Sequence, residues 1–245
     1  MQAPTAIEAL AVWERGQARG PAQRGLDLLA LAHPEMAVEA LADLSIGARN
    51  GALLALYEAM FGSRIEGCAD CPACAEPMET SFAVADLLSS SRGDGLPQLC
   101  IGDYRVFLRL LTSRDLIAAA EAKPEDRRGA LFARCVVSAN VGGEEVPATA
   151  LPAEIVQAAA RSLSGADPQA DIQLSLSCAA CGHRWAAPFD ILRFLWTKLD
   201  AWAKRQLREI HVLACAYGWR ESEILALSPL RRSHYLELIE SWPTI

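Results

Sequence analysis

Two short stretches decide the fold: Cys71-Pro-Ala-Cys74 and Cys178-Ala-Ala-Cys181-Gly182-His183. A C-x-x-C followed by a small residue turns tightly enough for both sulfurs to face one ion, while backbone amides support the thiolates. Two such knuckles make a tetrahedral four-cysteine site, the ligand set of structural zinc. Each stretch adjoins an expected strand: Met78–Phe82 follows the first, and Asp171–Ser177 leads into the second with Ile172, Leu174 and Leu176 alternating against Gln173, Ser175 and Ser177. The pair reads as the two halves of a zinc ribbon, with Zn2+ held by Cys71, Cys74, Cys178 and Cys181.

The spacing is unusual. Residues 75–177 put 103 residues between the knuckles, against the about 15–20 that are customary. Loop-closure entropy grows only logarithmically with length, so a whole subdomain can be inserted there. Cys68 is an alternative to Cys71 or Cys74, and His183 to a thiolate. Cys71 with Cys74 is preferred because Pro72 and the following strand suit a knuckle. Metal-free thiols and a thioredoxin-like redox pair are the competing readings. The latter lacks its strand–helix context. Cys100, Cys135 and Cys215 sit in apolar sequence and read as small buried hydrophobes.

The chain of 245 residues is 52% apolar and 22% charged, with 30 acidic and 23 basic side chains and a net charge of −7. That supports a real core and excludes disorder. No charge-free run exceeds the twelve residues 172–183, so no membrane-spanning helix is expected. Glu8 and Glu14 interrupt the first residues where a secretion signal would be apolar. A cytoplasmic protein with reduced thiols follows from that reading. The acidic balance, with Asp70, Glu76 and Glu79 around the first knuckle, argues against nucleic acid. His183-Arg184-Trp185 is the one basic-aromatic cluster nearby, and Trp185 is expected to pack on the ribbon.

Working outward, residues 4–62 read as three helices. Ile7, Leu10, Ala11 and Trp13 form an apolar face, Pro21 opens the second helix, and Gly47–Phe61 forms the third. Residues 87–98 read as a loop. A strand is expected over Tyr104–Leu111, then a helix 113–122 capped by Thr112 and Asp115. A second helix is expected from Pro124 to about Ser138, a loop over 140–152 and a helix over 153–163. After Pro188 comes one long helix to Tyr217, stopped by Gly218. Two short helices follow, the last with Ser228 as cap. The expected fold is α+β, mainly helical, with a split four-cysteine zinc ribbon. Its parts are residues 1–66, the ribbon from 67–83 plus 171–189, an inserted subdomain 84–170, and a C-terminal helical region 190–245.

Phosphate-binding, nucleophile-elbow, metalloprotease and dinucleotide motifs are all missing. His33 reads as a helix terminus and His211 as a packed or surface residue. Residues 191–245 carry eight basic and six acidic side chains and much of the aromatic content. The long helix is expected to form the core with the N-terminal helices. Residues 217–242 are expected to offer a partner surface, with Trp219, Ile224, Leu225, Tyr235 and Leu238 as anchors and Arg231 and Arg232 as donors.

The stretch from Glu209 to Leu236, including Tyr217-Gly-Trp219, Glu221-Ser-Glu-Ile-Leu225 and Arg231-Arg232-Ser-His-Tyr235-Leu236, resembles the T4-type baseplate family of contractile-tailed phages and bacterial contractile injection systems. Members are described as baseplate hub assembly chaperones. The two knuckles, Phe189-Asp190, Trp13-Glu14 and residues 44–47 also look like the injection-system members. The resemblance implies a non-enzymatic assembly factor or minor baseplate component. Its partners would be baseplate or tail proteins, with no catalytic residue, small-molecule substrate, nucleic acid or membrane. Assembly would take place in the cytoplasm. The alternative is a zinc-ribbon nucleic-acid-binding or transcription adaptor.

Overall fold

A computed structural model describes residues 3–88 and 97–241. Helices α1 (Ala6–Gly16), α2 (Pro21–Ala32), α3 (Val38–Ala42) and α4 (Ile46–Phe61) open the chain. Thr5 and Glu8 close a capping box on α1, and Pro21 sits in the first turn of α2. The hairpin β1 (Arg64–Asp70) and β2 (Pro77–Ala83) follows. An antiparallel meander comes next, made of β3 (Gln98–Ile101), β4 (Tyr104–Leu108), β5 (Val136–Val141) and β6 (Glu144–Glu145). Helices α5 (Ser113–Ala120) and α6 (Arg127–Cys135) interrupt it between β4 and β5, and α7 (Ala153–Ala166) follows it. A second hairpin, β7 (Gln173–Ser177) and β8 (Arg184–Pro188), leads into α8 (Ile191–Tyr217), α9 (Glu221–Ala226) and α10 (Pro229–Glu240). The fold is α+β and mostly helical, with three small antiparallel sheets among the described residues.

The main core joins the two ends of the sequence. Leu28 and Leu29 of α2, Leu53, Leu54 and Leu56 of α4, Ile65 of β1, and Leu195 and Leu199 of α8 are fully buried together. The first half of α8 thus packs with the N-terminal helices, as its apolar sequence predicts. Trp13 adds a direct tie, its indole N–H donating to Asp200 Oδ1 at 2.9 Å. The face of α1 differs from expectation. Ala9, Leu10, Val12 and Gly16 are buried and Ile7 is 59% exposed. A stripe of small residues faces inward because α1 lies close to α8: a Cβ on Gly16 would collide with the Trp196 ring.

The inserted segment has its own small core. Val106, Leu108 and Ala139 of the meander are covered by Ile155 and Ala159 of α7. Its ends are tied to the body. Gln169 Nε2 donates to the Leu87 carbonyl and Asn50 Nδ2 to the Gln169 carbonyl, both at 3.0 Å. The Gly47 N–H donates to Asp167 Oδ2 at 2.9 Å, and a Cβ there would overlap that carboxylate, so only glycine admits this contact. Arg114 pairs with Asp43, and the Ile46 N–H donates to the Leu111 carbonyl. The capping box on α5 also gathers two arginines of the inserted segment. Asp115 is fully buried and accepts from Arg109 (2.7 Å twice), Arg134 (2.8 Å) and the Thr112 N–H and hydroxyl.

Three expectations are corrected here. The helix expected from Pro124 to Ser138 begins only at Arg127, after a turn over 124–126, and ends at Cys135, because the β-branched pair Val136-Val137 enters the sheet beside β4. The strand expected to reach Leu111 stops at Leu108, where Arg109 turns toward Asp115. The segment expected to be a loop over 140–152 contains the end of β5, β6 and a 3-10 turn at Ala148–Ala150. The loop expected at 87–98 falls largely outside the described residues. No described helix is long and apolar enough to cross a membrane.

Candidate metal centre

The two hairpins carry the two knuckles at their tips, in matching frames. In the first, the Cys71 N–H donates to the Glu76 carbonyl (3.0 Å) and the Ala75 N–H to the Cys71 carbonyl (2.8 Å). In the second, the Cys178 N–H donates to the His183 carbonyl (2.8 Å) and the Gly182 N–H to the Cys178 carbonyl (2.9 Å). The residue after the second cysteine is left-handed in both, with φ of +58° at Ala75 and +74° at Gly182. The turn demands this conformation, and only the second knuckle meets it with glycine.

This frame brings the four sulfurs together. All lie within 4.8 Å of one another, with Cys71 to Cys181 and Cys74 to Cys178 at 3.7 Å. A disulfide needs sulfurs about 2.05 Å apart, so these are four free thiols. A tetrahedral ion with metal–sulfur bonds of about 2.3 Å has an edge of about 3.8 Å, which matches the closer pairs. The cluster can hold a metal ion. Cys71 and Cys178 are buried, and Cys74 and Cys181 are exposed.

The electrostatics favour a cation at the centre. Burial pushes the Cys71 thiol up, but the amides of Ala73 and Cys74 and the neighbouring sulfurs outweigh it and bring it down to about 7. Cys74 receives the Glu76 amide, yet the sulfurs of Cys181 and Cys71 push it up to about 12. Cys181 is helped by the His183 amide and is still raised, by burial and by the sulfurs of Cys178 and Cys71. Four thiols this close cannot all ionise without a positive charge between them.

The bases of both hairpins rest on one aromatic chain. Phe82, at the end of β2, packs edge-on against Phe189 at 5.6 Å. Phe189 meets Phe194 of α8 at 5.4 Å, and Phe194 meets Tyr57 of α4 at 5.7 Å. The Tyr57 hydroxyl donates to the Arg64 carbonyl at 2.8 Å, fixing the start of β1. Asp190 caps α8 directly after the second hairpin. The hairpins are therefore rooted in the main core and meet again at the sulfurs.

Cys68 and His183 lie outside the cluster. Cys68 is exposed on β1 opposite Glu79. The His183 ring is exposed and stacks on Trp185 at 5.8 Å, and its contribution is its backbone. Cys135 is buried as expected, but Cys100 and Cys215 are exposed. Cys100 is on the sheet's edge strand opposite Arg105, and Cys215 sits one turn from His211 on α8.

The C-terminal candidates are placed differently from expectation. Arg232 is 5% exposed, with its Nε 3.9 Å from Glu209 Oε2 and, among the described residues, no hydrogen-bond partner for Nε or Nη1. It faces α8, so it is not a surface donor. Ile224 is fully buried. Trp219 and Tyr235 are half-buried and pack with Tyr217, ring centroids lying 4.6–5.6 Å apart. Arg231 and Leu238 are exposed. Trp242 lies outside the described residues. Sequence reasoning missed β1 and β8, the outer strands that turn each knuckle into a hairpin. It also missed the aromatic chain beneath them, whose members are spread over residues 57–194.

A family model described as T4 bacteriophage base plate protein matches residues 32–196. The chain belongs to that family. The match spans both knuckles, the aromatic chain and the whole insertion, and ends within α8, before the 209–236 stretch. No curated protein and no solved structure matches the chain.

Proposed function

We propose that the protein is a non-enzymatic assembly factor or minor component of the baseplate of a contractile injection system or phage-like tail, acting through protein contacts and stabilised by a structural zinc. The observation that carries this reading is the four-thiol cluster inside a region matched by the baseplate family. Four protein sulfurs fill a tetrahedral shell, so a bound Zn2+ has no open position for substrate and contributes folding energy instead. When bound, it supplies the positive charge that allows Cys71, Cys74, Cys178 and Cys181 to stay ionised. The acids Asp70, Glu76 and Glu79 beside the knuckles disfavour a nucleic-acid role. At the C-terminus, Arg231 with exposed Leu230 and Leu238 remains available to a partner, and Trp219 and Tyr235 pack with Tyr217.

Deletion of the chain in its producer tests this reading. Tail-like particles should be missing or lack baseplates when imaged by electron microscopy. The native chain should restore them, and Cys178→Ser should fail to do so. Normal particles in the deletion strain would overturn the proposal.

A further inference from the structure

A groove of about 620 Å³ lies where the end of α4, the start of β1 and the middle of α8 meet. The chain as a whole carries a net charge of −7. This groove inverts that balance, since Arg64, Lys198 and Arg205 line it against a single carboxylate, Glu66. The cations are available. Arg64 donates to the Ser81 hydroxyl at 2.7 Å, and Lys198 lies 5.2 Å from the Phe194 ring centroid. Neither is in an ion pair among the described residues. Among the described residues, the ion pair of Arg205 is with Glu209, at 4.0 Å along its own helix. Phe61 and Trp202, both half-buried, supply an aromatic wall.

We infer that this groove binds an acidic segment of a partner polypeptide, with an apolar or aromatic side chain between its carboxylates. Arginine forks pair with carboxylates in a bidentate way, and Trp202 and Phe61 offer the kind of apolar anchor that dominates interface energy. A nucleic acid would need a longer basic stripe to follow its phosphates. Here three cations line the groove, and the neighbouring strands carry Glu66, Asp70 and Glu79. The inference rests on the reading of the chain as an assembly component and names the chemistry of one of its contacts.

The test is site-specific photo-crosslinking in the producer. Ala201, exposed at the groove's rim, is replaced as Ala201→p-benzoylphenylalanine in the full-length chain, and crosslinked peptides are identified by mass spectrometry. The expected product is a peptide rich in Asp and Glu from a baseplate or tail protein. Its yield should fall about tenfold or more in Arg64→Glu/Arg205→Glu, as reversal of interfacial charges predicts. That variant should keep the thermal midpoint of the native chain, since both arginines are exposed. A crosslinked peptide without net negative charge, a crosslink to nucleic acid, or a yield unchanged by the charge reversal would overturn the inference. Failure of the wider functional reading looks different. In that case deletion of the chain leaves particles normal, whereas a failed groove leaves deletion harmful and Arg64→Glu/Arg205→Glu harmless.

Discussion

The two halves of α8 are held in opposite ways. Its first half, Ile191 to Leu199, lies in the main core beside the aromatic chain that carries both hairpins. Its second half is covered by α9 and α10 through a small cluster around Leu213 and Ile224. That seam contains Arg232, whose buried Nε and Nη1 have no hydrogen-bond partner among the described residues, and Gln206, whose Oε1 has none there either. Buried polar atoms without partners cost stability, so the second seam is the weaker and the first is the foundation. The same contrast appears between two buried charges. Asp115 has two arginines and a threonine around it, and Arg232 has one distant glutamate.

The comparison breaks most visibly at the foundation. Cys178→Ser removes one of the four sulfurs and should cost several kcal/mol, because metal affinity at a structural site is folding free energy. A denaturant titration should show the midpoint collapse, and a strong chelator should act in the same direction on the native chain. Cys68→Ser, in the same hairpin but outside the cluster, should stay within about 0.5 kcal/mol, as exposed substitutions usually do.

Next in size is Asp115→Asn, which leaves Arg109 and Arg134 facing a neutral group and should cost about 3–5 kcal/mol. The Asp115 carboxyl is held well below its ordinary range: burial opposes ionisation, but Arg109, Arg134 and Thr112 prevail. Its folded pKa is depressed, so its contribution is complete above the unfolded value of about 3.9 and is lost as the pH falls below that. Thermal melts between pH 7 and pH 3 should show this acid loss in the native chain and a smaller one in Asp115→Asn.

The C-terminal seam should respond far less. Arg232→Met replaces a poorly paired buried cation by an apolar side chain of similar length and should change stability by about 1 kcal/mol or less. A loss as large as that of Asp115→Asn would mean that the Arg232 charge is as well supported as that of Asp115. A small gain should also separate the two knuckles. Ala75→Gly should gain about 0.5–1 kcal/mol, since a left-handed alanine costs about 1–2 kcal/mol and glycine returns part of that as chain entropy. Gly182→Ala should lose a similar amount.

The sequence carried some of this plainly. Thr112 with Asp115, Pro21, Ser228 and Gly218 mark their helix ends through local chemistry that a few neighbouring residues complete. The four cysteines were legible for the same reason, since each knuckle is a local turn. The fold class was readable from them and from the long helix. What was not legible depends on distant partners. Val136-Val137 becomes a strand because β4 is beside it. Arg232 is buried because α10 folds onto α8, although Arg231-Arg232 looks like a solvated pair in one dimension. Ile7 is exposed because α1 packs through Ala9, Leu10, Val12 and Gly16, the last against Trp196 far along the chain. Cys100 and Cys215 sit in apolar sequence but on outward faces, which periodicity over so few residues cannot resolve.

The central claim is that one metal ion joins the two hairpins across a 103-residue insertion. Elemental analysis of the full chain purified without chelator tests it most directly, paired with Cys178→Ser purified the same way. The account predicts about one zinc per chain in the native protein and a loss of bound zinc in the variant, as a four-cysteine site requires. A native chain that is fully folded by near-ultraviolet circular dichroism and contains no metal would contradict it.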